Sequence, residues 1–392
     1  MNHHSRIVTR RRPLGLFHFA DPRHWTPRDA QIAFEQGSQA LFDEVIVLGF
    51  RAARTRRSTR RLGQIIEESK GALEVYEQAG WLTNPEPAYA EQAAPDPAQV
   101  TISREILLGL AYEHVRFPSG YLPHPDDPST ARWSAMPNNN QVHAWVLRHR
   151  EPRPWVVGVH GAEMGRPFVD FMLFRAKWMH QKLGLNVALP ILPLHGPRRG
   201  GGHFPSEVTA HNVHGVFQAV ADVRRTIAWI RAQQPDARIG IHGISLGGHV
   251  SAIVSSLESD LACALIGVAP MDLVLLLERH HGTGHDRDLR VQNFELGAQL
   301  GQMTTPLRMQ PKVPRERRYI YAGAVDRLVD FSEHHAPMIA HWDYPQTLVY
   351  NGGHVGIGMS AELPGFWARS FAETGLLDQQ EQQLTANVVP LG

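Results

Sequence analysis

The sequence predicts an α/β fold: a mostly parallel, doubly wound sheet with a helical N-terminal extension and a lid-like insertion. Three observations predict it. From about residue 100 onward, short apolar runs alternate with amphipathic stretches, the rhythm of strands joined by helices. Several runs are apolar at successive positions, as strands covered on both faces must be. The segment Gly243-Ile244-Ser245-Leu246-Gly247 falls between one such run and a helix.

Taken in order, residues 1–99 form the extension and a linker. Ala30 to Ala52 places Ile32, Phe34, Leu41, Val45, Ile46, Leu48 and Phe50 in a helix-like pattern, and Leu62 to Trp81 is a second helix ended by Gly80. Thr83 to Pro97, rich in Pro, Ala and Glu, reads as the linker. Residues 100–392 form the sheet-containing domain, beginning with strands over Val100–Leu108, Tyr112–Phe117, Gln141–Arg148 and Trp155–Val159. A helix over Phe168–Leu183 precedes a strand over Asn186–Leu194, and Val213 to Ile230 marks a long amphipathic helix. Then come a strand (Arg238–Ile244), a helix (Leu246–Leu257) and a strand (Ala262–Ala269). Residues 271–317 break the rhythm with a leucine-rich helix at Leu273–Leu277 and another around Leu296–Met303, an insertion placed to cover a pocket. Strands at Arg318–Tyr321 and Thr347–Tyr350, a short helix at Pro337–Trp342 and a closing helix at Leu363–Leu376 complete the chain.

Composition narrows the function. The chain has 392 residues, 43% of them hydrophobic, enough for one large core. A net charge of +1 provides no overall field to recruit nucleic acid or an anionic membrane. Apart from Lys70, Lys177, Lys182 and Lys312 the basic residues are arginine, a bias that follows composition rather than phosphate binding. The single Cys263 excludes an intramolecular disulfide and favours a reducing, cytoplasmic compartment. Arg10-Arg11-Arg12 precede an apolar stretch at Leu14–Ala20, but it is short, holds His18 and meets Asp21-Pro22, unlike a signal peptide. No run approaches the roughly 18 apolar residues of a membrane span.

Chemistry concentrates in four places. A strand turning abruptly into a helix at Ser245 holds the serine in a strained conformation, and flanking glycines remove the Cβ atoms that would clash. The hydroxyl then projects beside a helix N-terminus, where amides favour a developing oxyanion. Near the other end, Tyr350-Asn351-Gly352-Gly353-His354 follows a strand and offers an imidazole as base. Asp326, after the strand Arg318–Tyr321, is the acid that would orient it; Asp330 and Glu333 compete, and a helix-capping role is the bland alternative. Along the chain the order is serine, acid, histidine: Ser245, Asp326, His354. His160-Gly161-Ala162-Glu163-Met164-Gly165 closes an apolar strand, so the N–H groups of Ala162 and Leu246 are candidates for the oxyanion hole.

Other features have plainer readings. His160, Gly161 and His195 could contact substrate, although His195 fits loop shaping better. Arg198 and Arg199 could bind a substrate carboxylate or be a solvated pair. His280, His281 and His285 lack a cysteine or carboxylate at zinc spacing, so a polar loop is expected and no metal. Arg51, Arg54, Arg56, Arg57, Arg60 and Arg61 spread over several helix faces and read as a solvated surface, with a partner- or phosphate-binding patch as the alternative.

At His160-Gly161, Gly243-Ile244-Ser245-Leu246-Gly247-Gly248, Asp326 and His354 the sequence resembles the α/β-hydrolase superfamily. The resemblance spans roughly residues 100–375. It is closest to the esterase-like branch of dienelactone hydrolases, acetyl xylan esterases and prolyl oligopeptidase catalytic domains. It implies an eight-stranded, mostly parallel sheet and serine esterase chemistry without a cofactor, on a small-molecule acyl substrate. Acyltransferase, thioesterase and peptidase activities share these residues, and a non-catalytic binding module on the same fold is the rival of a different class. The oligomeric state is not read from the sequence.

Overall fold

In a computed structural model, which describes residues 38–41, 43–44, 59–280 and 287–377, nine strands are named in chain order. They are β1 (Thr101–Leu107), β2 (Leu110–Pro118), β3 (Gln141–Leu147), β4 (Trp155–Val159) and β5 (Asn186–Pro190). After them come β6 (Ile239–Ile244), β7 (Cys263–Gly267), β8 (Arg318–Gly323) and β9 (Gln346–Tyr350). They form one sheet in the order β1-β2-β3-β5-β4-β6-β7-β8-β9. From β5 through β9 every neighbouring pair is parallel, and β1, β2, β3 and β5 pair antiparallel. The sheet therefore has one strand more than the eight the resemblance implied. The additional strand is an edge: β1 turns into β2 through Leu108 and Gly109, both left-handed at φ 49° and 77°, as a tight hairpin requires.

The chain leaves β4 toward β5 on one side and returns to β6 on the other. Sheets wound in two directions open a crevice at that reversal, outside the carboxyl ends of the strands, where ligands bind. β4, β5, β6 and β7 are buried at every position, because helices cover both faces. One face packs Val157, Val159, Ile239 and Ile241 against the helices Thr209–Gln233 and Leu246–Leu257. The other packs Val156, Val187 and Leu265 against Phe174, Met179, Trp367 and Phe371.

Two elements differ from expectation. The helix expected over Phe168–Leu183 is two helices, Pro167–Leu173 and Ala176–Gln181. Arg175 between them is left-handed at φ 48°, which a right-handed helix cannot contain, and its guanidinium donates to the Gly358 carbonyl at 3.3 Å. The strand expected to reach Leu194 stops at Pro190. Beyond it the Leu194 amide donates to Asn139 and Arg198 donates to the Ile191 carbonyl, which turns the chain away from the ladder.

Residues 271–317 hold the helices Leu273–Arg279 and Arg287–Gly301. The second starts well before the expected Leu296, and it lies on the N-terminal helix Thr59–Gln78, with Leu296 against Leu62 and Ile66. Among the described residues no helix is long and apolar enough to cross a membrane. Most of the helix expected over Ala30–Ala52, Arg10-Arg11-Arg12 with the apolar stretch after them, Arg51, Arg54, Arg56, Arg57, His281 and His285 lie outside the described residues.

Candidate active site

β6 ends at Ile244 and the next helix begins at Leu246, so Ser245 alone makes the turn. It does so at φ 55°, ψ −120°, a conformation that costs on the order of 1–3 kcal/mol and persists only when its surroundings enforce it. The enforcement is visible. A Cβ at Gly247 would fall inside the Val159 carbonyl, and one at Gly243 inside the Gly247 carbonyl. The Ser245 amide donates to the Gly267 carbonyl at 2.8 Å, and the His249 amide donates back to the Ser245 carbonyl at 3.1 Å.

Two loops from β8 and β9 meet this serine. His354 Nε2 lies 3.0 Å from Ser245 Oγ, and its Nδ1 lies 2.8 Å from Asp326 Oδ2. The paired carboxylate fixes the tautomer: Nδ1 carries a proton to donate, which leaves Nε2 to accept from the hydroxyl. Asp326 Oδ1 accepts from the amides of Leu328 and Val329 at 2.9 and 2.8 Å, but these residues form a bend and no helix starts here. The next helical turn, Phe331–His335, is capped by Asp330, so Asp326 is not the helix cap of the bland alternative. Burial works against a charged imidazole at 354, but the charge and hydrogen bond of Asp326, aided by Asp43, outweigh it and raise its pKa above the usual histidine value. The competing acids are engaged elsewhere: Asp330 caps Ser332 and Glu333 at 2.9 and 3.3 Å, and Glu333 pairs with Arg279.

The loop after β4 lies against the serine. A Cβ on Gly161 would stand 3.3 Å from Ser245 Cβ, so a larger residue there would crowd the serine. Ala162 follows it, and Leu246 opens the helix whose first amides have no partner within the helix. The loop is anchored from below. The Gly165 amide and Trp145 Nε1 donate to the buried Asp170 at 3.0 and 3.1 Å. Burial, only partly offset by these bonds, pushes the Asp170 carboxyl up to about 7.

His160 and His195 take structural positions. Both are buried, with ring centroids 5.1 Å apart. His160 Nε2 accepts from the Leu192 amide at 2.9 Å while its Nδ1 faces the Gly161 carbonyl at 2.7 Å, and His195 Nδ1 faces the Pro193 carbonyl at 2.8 Å. Burial lowers their pKa values to about 4 and about 3, so both are neutral. These rings shape the loops under the site, having no solvent-facing surface with which to line it. Arg198 is likewise no substrate anchor: its side chain is 0% exposed and sits 2.7 Å from Asp222. Arg199 pairs with Glu163 on the surface. His280 Nε2 bonds to the Leu328 carbonyl at 2.8 Å, and among the described residues no three His, Cys, Asp or Glu side chains are grouped to hold a metal ion.

Sequence reasoning missed Asp43 and Gln39, whose side chains bond to the backbone on either side of His354. The available signal was a lone acidic pair, Asp43-Glu44, inside an otherwise apolar stretch from Leu41 to Phe50.

Sheet order and the strained serine turn between strand and helix define an α/β-hydrolase fold. In keeping with that, acetyl xylan esterase 1 from Thermoanaerobacterium sp. JW/SL YS485 superposes with a TM-score of 0.50 at 14% identity, over 76% of this chain and 94% of that one. No protein-family model matches the sequence. Two uncharacterized proteins of Mycobacterium tuberculosis, from strains CDC 1551 and H37Rv, are each 40% identical over 350 residues, 88% of this chain and 84% of theirs. The chain belongs to the family of these mycobacterial proteins.

Proposed function

We propose that the protein is a serine hydrolase that cleaves a carboxylic ester through an acyl-enzyme on Ser245. The observation that carries the reading is the hydrogen-bonded series Ser245 Oγ, His354, Asp326, which stands at the carboxyl edge of the sheet with bonds of 3.0 and 2.8 Å. His354 Nε2 takes the hydroxyl proton as Oγ attacks the acyl carbonyl. The oxyanion of the tetrahedral adduct accepts hydrogen bonds from the amides of Ala162 and Leu246. Collapse breaks the bond to the leaving alkoxide, which takes the proton from His354. A water then gives its proton to Nε2, attacks the acyl carbon and frees the acid while Oγ regains the proton. Asp326 holds the ring through Nδ1 and stabilises the imidazolium that forms.

An ester is the first substrate to try, because the named fold neighbour is an acetyl xylan esterase. Hydrolysis of p-nitrophenyl esters of increasing acyl length tests the proposal. The expected result is turnover that Ser245→Ala lowers by on the order of 10⁴-fold or more. Added alcohol that diverts the acyl group would point to an acyltransferase, and peptide anilides cleaved in place of esters to a peptidase. Folded wild type with no turnover above the uncatalysed rate would leave a non-catalytic module.

A further inference from the structure

Two side chains of the N-terminal segment hold the loops that carry the base and the acid. Asp43 is 1% exposed. Its Oδ2 accepts from the His354 amide at 2.6 Å and from the Arg327 amide at 3.2 Å, and its Oδ1 accepts from the Val355 amide at 3.0 Å. Gln39 Oε1 accepts from the Gly353 amide at 2.8 Å. Arg327 directly follows Asp326, so a single carboxylate ties the loop after β8 to the loop after β9. Adjacent glycines record the same packing. A Cβ at Gly353 would stand 2.6 Å from Asp43 Oδ2, and one at Gly352 would stand 2.6 Å from Gln39 Oε1. Neither glycine is left-handed. What they provide is room for the segment, and that is a second reason for glycine beside the histidine.

We infer that Asp43, assisted by Gln39, is a positioning residue: it sets the backbone of His354 against that of Asp326, making the N-terminal segment a working part of the active site. The inference rests on the hydrolase reading of Ser245. Charge-assisted bonds from amides to a buried carboxylate are strong, and without them the loop is free to shift. A displacement of about 1 Å at a catalytic group can cost on the order of 10²-fold in rate. The groups facing His354 are Ser245 and Asp326, Asp43 from the N-terminal segment, and His335 from the turn Phe331–His335. Of these, Asp43 and Asp326 are the ones whose charge favours the imidazolium.

The test uses the full chain and a fluorophosphonate probe, following the rate of Ser245 labelling against pH, with folding checked by circular dichroism. Asp43→Asn removes the charge and turns one acceptor toward an amide as a donor. It should slow labelling by roughly 10²-fold and move the acid limb to lower pH. A fall in the folded fraction alone would scale the rate without moving that limb. Gln39→Ala should slow labelling less and leave the limb in place, and Leu41→Ser, at an exposed position of the same segment, should do neither. Wild-type rate and an unmoved limb in Asp43→Asn overturn the inference. Should Asp43→Asn not fold, Gln39→Ala labelling at the wild-type rate overturns it instead. Folded wild type that never labels removes the hydrolase reading and this inference with it, which separates the two failures.

Discussion

In the proposed reaction His354 acts as a neutral base, yet its surroundings favour the charged form. The direction of that shift fixes two pH effects. Activity should rise through a midpoint above the ordinary histidine value of about 6.5, because the proton must leave before Nε2 can accept another. The contribution to stability runs the other way: it is complete below the ordinary value and fades as pH climbs through the raised one. Asp326→Asn should lower the activity midpoint and cut kcat by on the order of 10⁴-fold, read from a pH–rate profile; an unmoved midpoint would mean that Asp326 does not set the imidazole. The meeting of Ser245, Asp326 and His354 was legible in the sequence because each follows a strand and so comes to one edge of the sheet. Asp43 was not. Its partners are backbone amides 284 to 312 residues away in the chain, and no residue pattern encodes such a bond.

At the scale of elements, the buried strands declared themselves through unbroken apolar runs, and the turn at Ser245 through its glycines. The split of the helix after β4 was hidden, since the left-handed Arg175 lies within an otherwise helical pattern of apolar residues. Glycines separate the two kinds of constraint. Gly247→Ala drives a methyl into the Val159 carbonyl and should cost about 3 kcal/mol or more, measured by urea unfolding. Gly63, inside the helix Thr59–Gln78, has open space where its Cβ would be. Gly63→Ala should therefore stabilise by about 1 kcal/mol. Similar midpoints for the two variants would show that the turn is not packed as described.

Across the whole molecule, the alternation of strands and helices foretold the doubly wound sheet. It did not foretell how the antiparallel half is fastened to the parallel half. Arg198 does this from a fully buried position: it donates to the carbonyls of Ile191 and Asn139, at 2.7 Å each, and pairs with Asp222 of the long helix Thr209–Gln233. In the sequence it was one of two adjacent arginines, Arg198 and Arg199, and nothing there distinguished the buried one. Removing it strands a carboxylate whose pKa burial already raises. Arg198→Met should lose about 3–5 kcal/mol in denaturant unfolding, and a loss under about 1 kcal/mol would deny the fastening role.

All of these expectations converge on one hydroxyl. Treating the folded protein with a fluorophosphonate and mapping the adduct by mass spectrometry of its peptides addresses it directly. A single phosphonylated residue, Ser245, is expected, with no adduct in Ser245→Ala. Folded protein that stays unmodified, or an adduct carried elsewhere and retained in Ser245→Ala, would contradict it.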